Sequence, residues 1–291
     1  MTTKKAIEGE IENLTGIKTL VETYKEIAAS RIRRTRTSVV KTRDFLSQLN
    51  EIFQEVIASY QKQIEQMMKA KRISDPSKLS VIKRNGKTVL VFMSANTGLF
   101  GDIVKRTFDL FIQEALRTNS DTVIIGKIGL GLLQESNYKG HYTYFDCPDH
   151  SVDDKVLGDI TKTLVQYEKI VVYYEHFENL VEQTPSVTDI SGNPMSYQED
   201  NRPKDVVRFL FEPSLEEILT FFETEFFTSI LEQTIRESQL AKFSSRMVAL
   251  DTVSENIRKE IIKSKILHER AKHREENSKQ NQTFSSMVLW K

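Results

Sequence analysis

Cysteine is nearly absent. Cys147 is the only one in 291 residues, so no disulfide within the chain braces the fold, as suits a reducing compartment. Long apolar runs are missing too: no stretch approaches the roughly 18 uninterrupted apolar residues of a membrane-spanning helix. The opening MTTKKAIEGEIENL holds no apolar block of the kind a signal peptide needs, and the expectation is a cytoplasmic protein. Net charge is lacking as well. The 41 basic and 41 acidic residues cancel, which argues against a general nucleic-acid binder. The most informative absence is local: neither glycine nor proline occurs from Ile17 to Asp75 or from Ser214 to Lys291. Nine of the eleven glycines and all six prolines lie between Pro76 and Pro213. Both residues break helices, so two long helices are predicted to flank one punctuated domain.

What fills the two uninterrupted stretches is a seam. Alternate steps of four and three from Ile7 visit Ile11, Leu14, Val21, Ala28, Ile32, Val39, Leu46, Leu49, Phe53, Val56, Tyr60 and Met67, with Lys18, Lys25, Thr35, Thr42 and Gln63 as polar exceptions. Thirteen of the eighteen seam positions are therefore apolar. The last stretch repeats the pattern at Leu240, Phe243, Met247, Leu250, Ile257 and Ile261, a spacing nearer the coiled-coil repeat of about 3.5 residues than the straight-helix value of about 3.6. At about 1.5 Å per residue such helices could reach roughly 90 Å. Each is tied to the middle domain by its opposite end, so paired helices must run antiparallel, and two long apolar seams left in water favour pairing.

The middle alternates strand and helix. Thr88 to Ser94 (TVLVFMS), Thr122 to Ile125 (TVII), Lys169 to Tyr174 (KIVVYY) and Val206 to Phe211 (VVRFLF) read as strands, and Asp102 to Arg117 has helical spacing. Ser191 to Asp205 reads as a loop. The expected architecture is α/β plus coiled coil: an N-terminal shaft helix over 1–75, a Rossmann-like α/β domain over 76–212 with its first strands parallel, and a C-terminal shaft helix over 213–291 that pairs with 1–75.

Chemical motifs in the middle are incomplete. Asn96 to Gly101 stands between a strand and a helix, where phosphate loops stand, but lacks the Gly-Lys-Ser/Thr ending, so Gly98 and Gly101 are expected to shape a structural turn. Gly126, Lys127, Gly129 and Gly131 share the defect, and turn geometry is again expected. Cys147, Asp149 and His150 lie together on a loop with no third group to orient a nucleophile. His268 and His273 are five apart on a helix, a poor spacing for a shared metal, and are expected to face solvent. No catalytic residue, metal site or cofactor is assigned.

Five segments, in order, resemble the gamma subunit family of F-type ATP synthases. Glu26 to Arg36 (EIAASRIRRTR) resembles the family's Met-Val-Ala-Ala-Ser-Lys stretch and the basic residues after it. Ser94 to Asp102 (SANTGLFGD) is similar to Ser-Asp-Arg-Gly-Leu-Cys-Gly-Gly, and Tyr173 to Phe177 (YYEHF) to Tyr-Asn-x-Phe. Phe211 to Leu219 (FEPSLEEIL) resembles Tyr-Glu-Pro-Ser-x-Glu-Glu-Ile-Leu. Glu237 to Asp251 (ESQLAKFSSRMVALD) resembles Glu-Ser-x-x-Ser-Glu-x-x-Ala-Arg-Met-Val-Ala-Met-Asp.

The resemblance implies a non-catalytic rotor shaft, one copy per complex, inside a ring of three alpha and three beta subunits. Its foot would rest on an epsilon-like subunit and a membrane c-ring, at the cytoplasmic face of the membrane. ATP chemistry would occur on the ring, with no direct small-molecule substrate and no nucleic acid. Local charge suits docking: Arg31 to Arg43 holds six basic residues and no acid, and Glu212 to Glu237 holds seven Glu against Arg236. By resemblance Arg33, Arg34 and Arg36 fall on basic positions that face acidic levers of the stator. Lys272 and His273 stand where the family has an Arg-Gln stator catch, and lose the planar fork of Arg. Glu276 to Gln280 replaces Ile-Thr-Gln-Glu-Ile with a polar tip, and Leu20 to Thr23 replaces a more basic run. These departures mark a divergent member or F1-like paralogue. Two other classes share some of these features: a coiled-coil adaptor outside any ATPase ring, and a nucleotide-binding α/β enzyme, which needs a ligand at Gly98 to Gly101.

Overall fold

The computed structural model describes residues 4–60, 63, 64, 67, 69, 82–118, 120–191, 212 and 214–288. Helix α1 (Lys4–Ser59) and helix α5 (Leu215–Val288) are the two uninterrupted stretches. Ser214 accepts from Glu217 N at 3.3 Å and acids occupy the first turn of α5, both of which favour a helix start. The expected strand Val206 to Phe211 and nearly all of the expected loop Ser191 to Asp205 lie outside the described residues, as does the expected boundary at 75/76. By internal contacts the chain divides into Met1–Ser30 with Arg246–Lys291, and Arg31–Ser245.

In the first unit the two helices run antiparallel. Val21, Leu250 and Ile257 form a buried cluster, with Leu14 and Ile261 packed against it. Glu8 meets His268 at 3.0 Å and Lys25 pairs with Asp251, so rising numbers on one helix meet falling numbers on the other. The polar seam position Lys25 thus has its own counter-charge. On α5 the less exposed positions are Leu250, Ser254, Ile257, Ile261, Ser264, His268 and Ala271, again at steps of four and three, and every residue from Lys272 to Ser286 is exposed. His268 differs from expectation: it is a half-buried seam residue held by Glu8, because its position continues the heptad.

In the second unit α5 serves two neighbours. Leu215, Ile218, Leu219, Phe222 and Phe226 pack on Leu49, Phe53, Val56 and Ile57 of α1, with Phe53 5.3 Å from Phe222 and edge-on to Phe226 at 5.7 Å. Phe227, Leu231 and Ile235, on another side, pack on the sheet. Every residue from Phe222 to Ser245 is accordingly buried or half-buried. Contact on several sides explains why this part of α5 is buried beyond one stripe, with polar residues such as Glu223, Ser238 and Lys242 among those buried.

The sheet contains β1 (Thr88–Met93), β2 (Asp121–Ile125), β3 (Tyr142–Phe145), β4 (Lys169–Phe177) and β5 (Gln183–Asp189) in the order β3-β2-β1-β4-β5. The first four are parallel, and β5 pairs antiparallel with β4. Alternation sorts the strands' side chains. Val89, Val91 and Met93 face helix α4 (Asp154–Leu164) and α5, whereas Phe92 stacks against Phe111 of α2 (Ile103–Arg117) at 5.3 Å. Helices on both faces make this a doubly wound, Rossmann-like domain.

Helix α3 (Lys127–Glu135) corrects the expectation that Gly126 to Gly131 is all turn. Only Gly126 precedes it, at φ +103°, where a Cβ would stand 2.8 Å from Ala95 N. Gly129 lies within the helix because a Cβ there would meet Ser94 Cβ at 2.7 Å and the Phe92 ring at 2.9 Å. The missing side chain is what lets α3 approach β1.

Candidate functional site

In a doubly wound sheet the ligand crevice lies beyond the carboxyl ends of the strands, where the order reverses; here that is between β1 and β4. Beside it, beyond the carboxyl ends of β1, β2 and β3, the chain's own side chains fill the space. The turn after β1 presents the N–H groups of Asn96 and Thr97, and both donate at 2.8 Å to the two carboxylate oxygens of Asp149. Thr97 Oγ1 adds a third bond to Asp149 at 2.6 Å. A carboxylate therefore occupies the donors that a phosphate needs. Asn96 Oδ1 accepts from Lys127 N at 2.8 Å, which ties the start of α3 to the same turn. Leu99 at φ +69° and Gly101 at φ +62° complete the bend. A Cβ added at Gly98 would meet nothing within 4 Å.

From the other side α5 closes the crevice. Lys242 Nζ donates to Ser94 O at 2.5 Å, and Ser245 Oγ donates to Phe100 O at 2.8 Å. The void left among Ser94, Cys147, Asp149, Ser238 and Lys242 is about 20 Å3, room for one water and far too small for a nucleotide. Cys147 is buried there, and burial pushes its thiol pKa up, the reverse of what a nucleophile needs. Asp149 is committed to the turn, and His150 is exposed. Among the described residues no group of His, Cys, Asp and Glu is arranged to hold a metal.

The other sequence-assigned positions lie on the helices. In the second unit Arg33, Arg34 and Arg36 are exposed and make no ion pair among the described residues. Ile32 before them and Thr35 among them are buried and, beyond them, Val39 is half-buried, so the basic side chains and the seam occupy different faces. Leu46 and Leu49 continue the inner face. Leu240 and Phe243 are buried, the latter edge-on to Phe100 at 6.1 Å. In the first unit Met247 is half-buried, Leu250 and Ile257 are buried and Ile261 is half-buried. Lys272 and His273 are exposed, and Glu276 stands beside His273 at 3.6 Å. Sequence reasoning missed Asp149 and Lys242 as crevice residues. The signal for Lys242 was a lysine inside an otherwise uncharged stretch, Ser238 to Ser245.

An antiparallel helix pair in one unit and a Rossmann-like domain with a self-filled crevice in the other are the marks of a stalk-type protein. Comparison with known proteins agrees. The family described as ATP synthase matches residues 3–275. The ATP synthase gamma chain of Staphylococcus saprophyticus is 20% identical over 278 residues, covering 94% of this chain and 93% of that one. The gamma chain of Halothermothrix orenii is 22% identical over 284 residues, with 94% and 93% covered. Among solved structures, the rotor of the Euglena gracilis mitochondrial ATP synthase has a similar fold, with TM-score 0.59, 14% identity and coverage of 93% of this chain and 98% of that one. The central stalk and c-ring structure of the Tetrahymena thermophila enzyme gives TM-score 0.52 at 17% identity, covering 81% and 99%. The chain belongs to the ATP synthase gamma-chain family, and its role is that of the rotor shaft of an F1-type rotary ATPase.

Proposed function

We propose that this shaft stands in a ring of three alpha and three beta subunits, one copy per complex, and converts ATP turnover on the ring into rotation. Its foot meets an epsilon-like subunit and a c-ring, and the assembly is peripheral at the cytoplasmic face of the membrane. No helix among the described residues is long and apolar enough to cross a membrane, so attachment runs through partners. The division into shaft helix 1–75, α/β domain 76–212 and shaft helix 213–291 is part of the same reading. Torque enters at Arg33, Arg34 and Arg36, which slide past acidic stator levers, while the polar Lys272, His273 and the tip beyond them grip the stator only weakly.

One observation carries the drive contact. Three neighbouring guanidinium groups stand exposed and unpaired among the described residues, on a helix whose inner face is already satisfied. Exposed charges attract without interlocking, as a moving contact requires. The test is recovery of the native complex through a tag on this chain, followed by identification of its partners. Alpha- and beta-type ring subunits in equal amounts support the reading, and a complex without them favours the coiled-coil adaptor.

A further inference from the structure

At the carboxyl ends of β1 and β4 lie two buried ionisable residues, Glu175 and Lys242, for which turn geometry gives no reason. Glu175, in β4, is fully buried, and Ser238 Oγ donates to its Oε2 at 2.5 Å. Its Oε1 finds no hydrogen-bond partner among the described residues. One helical turn beyond Ser238, Lys242 is 5% exposed and spends its ammonium on Ser94 O at 2.5 Å. The register pair Phe92–Tyr173 puts Ser94 and Glu175 at equivalent heights on neighbouring strands, two residues further on. Two successive turns of α5 therefore bind the ends of two adjacent strands, one through a hydroxyl and one through an ammonium.

We propose that Lys242 is a positioning residue that supplies the counter-charge for buried Glu175, and that the two, with Ser238, key α5 to the sheet so that helix and domain turn as one body. Apolar packing alone is non-directional and lets a helix creep in register, whereas a buried charge fixes one register because every other leaves it unpaired. The groups facing Glu175 are the Lys242 ammonium on α5, the Ser238 hydroxyl one turn earlier, and the Asp149 carboxylate on the segment between β3 and α4. Burial pushes the Glu175 pKa up, Lys242 and Ser238 pull it back, and Asp149 adds to the rise. A carboxyl raised in the folded state stabilises the fold in acid and loses that contribution as pH rises through its folded pKa. Without Lys242 the loss is larger.

The full chain, compared with Lys242→Met, Glu175→Gln and the double variant by denaturant unfolding across pH, tests this directly. Lys242→Met is expected to lower the folding equilibrium constant little in acid and increasingly above the ordinary carboxyl range, by up to about tenfold per pH unit. Adding Glu175→Gln removes that dependence and restores most of the loss. A loss in Lys242→Met that is independent of pH, or is not relieved in the double variant, overturns the pairing. If Lys242→Met does not fold at neutral pH, folding of the double variant supports the proposal and its failure overturns it. The keying of rotation rests on the shaft reading, and is tested in the reconstituted motor. Lys242→Met should rotate more slowly than wild type under viscous load with unloaded ATP turnover unchanged; equal loaded rates overturn the keying. Failure of the wild-type chain to join a ring counts against the shaft reading alone, because the unfolding experiment needs no partner.

Discussion

Asp149 and Thr97 are 52 residues apart in sequence, yet the Asp149 carboxylate accepts both the backbone N–H of Thr97, at 2.8 Å, and its hydroxyl, at 2.6 Å. An internal carboxylate thus does in this chain what a phosphate does in a nucleotide-binding relative of the same topology. The domain keeps the turn after β1 rigid without a ligand, as suits a part that transmits force.

Replacing Asp149 by Ala leaves the Asn96 and Thr97 N–H groups without their acceptor in a partly buried turn. The expected cost is about 2–4 kcal/mol, since bonds to a charged acceptor contribute about 1.5–3 kcal/mol and an orphaned donor is penalised. Denaturant unfolding measures it. A change below about 0.5 kcal/mol shows that the turn holds its shape without the carboxylate.

Cys147 should react slowly with thiol reagents in the native chain. Burial raises its pKa, so less thiolate is present at neutral pH, and the side chain is also shielded. Labelling at least about tenfold slower than in the unfolded chain is expected. Equal rates imply that the crevice opens readily.

Leu250→Asp places a carboxylate in the cluster with Val21 and Ile257. The lost burial and the unpaired charge together should cost about 3–5 kcal/mol and prevent assembly with a ring. Circular dichroism on heating and co-purification check both. Unaltered melting contradicts the packing of this seam.

The seam was legible in the sequence because a helix buried along one stripe must repeat its apolar residues at the helical period. In the first unit that holds even at Lys25, a polar exception paired with Asp251. Strands β1, β2 and β4 were legible as short apolar runs, buried on both faces. The edges were not. β3 (YTYF) is half-exposed, and β5 (QTPSVTD) carries a proline and few apolar residues, as an edge strand can, so neither shows a buried-strand pattern. Helix α3 was hidden because Gly129 and Gly131 look like punctuation, and the need for Gly129 arises only from the approach to Phe92 and Ser94. Asp149 and Lys242 were missed for one reason. Their partners are distant in sequence: Asp149 stood out only through its neighbours Cys147 and His150, and a lone Lys ordinarily reads as a solvated surface residue.

Removing Arg33, Arg34 and Arg36 together, by substitution with Ala, should leave stability within about 1 kcal/mol, because the side chains are exposed and unpaired among the described residues. Assembly should survive for the same reason. Raising salt on the wild-type motor should reproduce part of the mechanical loss, since exposed charge contacts are screened over about 8–10 Å at ordinary ionic strength.

Single-molecule rotation of the reconstituted ring, driven by ATP and viewed through a probe on this chain, tests the central claim most directly. The account predicts stepwise rotation of the wild-type shaft, slowed or uncoupled from ATP turnover in the triple-Ala variant, in complexes that assemble normally. A wild-type chain that stays fixed while the ring hydrolyses ATP contradicts the shaft role, and undiminished rotation of the triple-Ala variant contradicts the placement of the drive contacts.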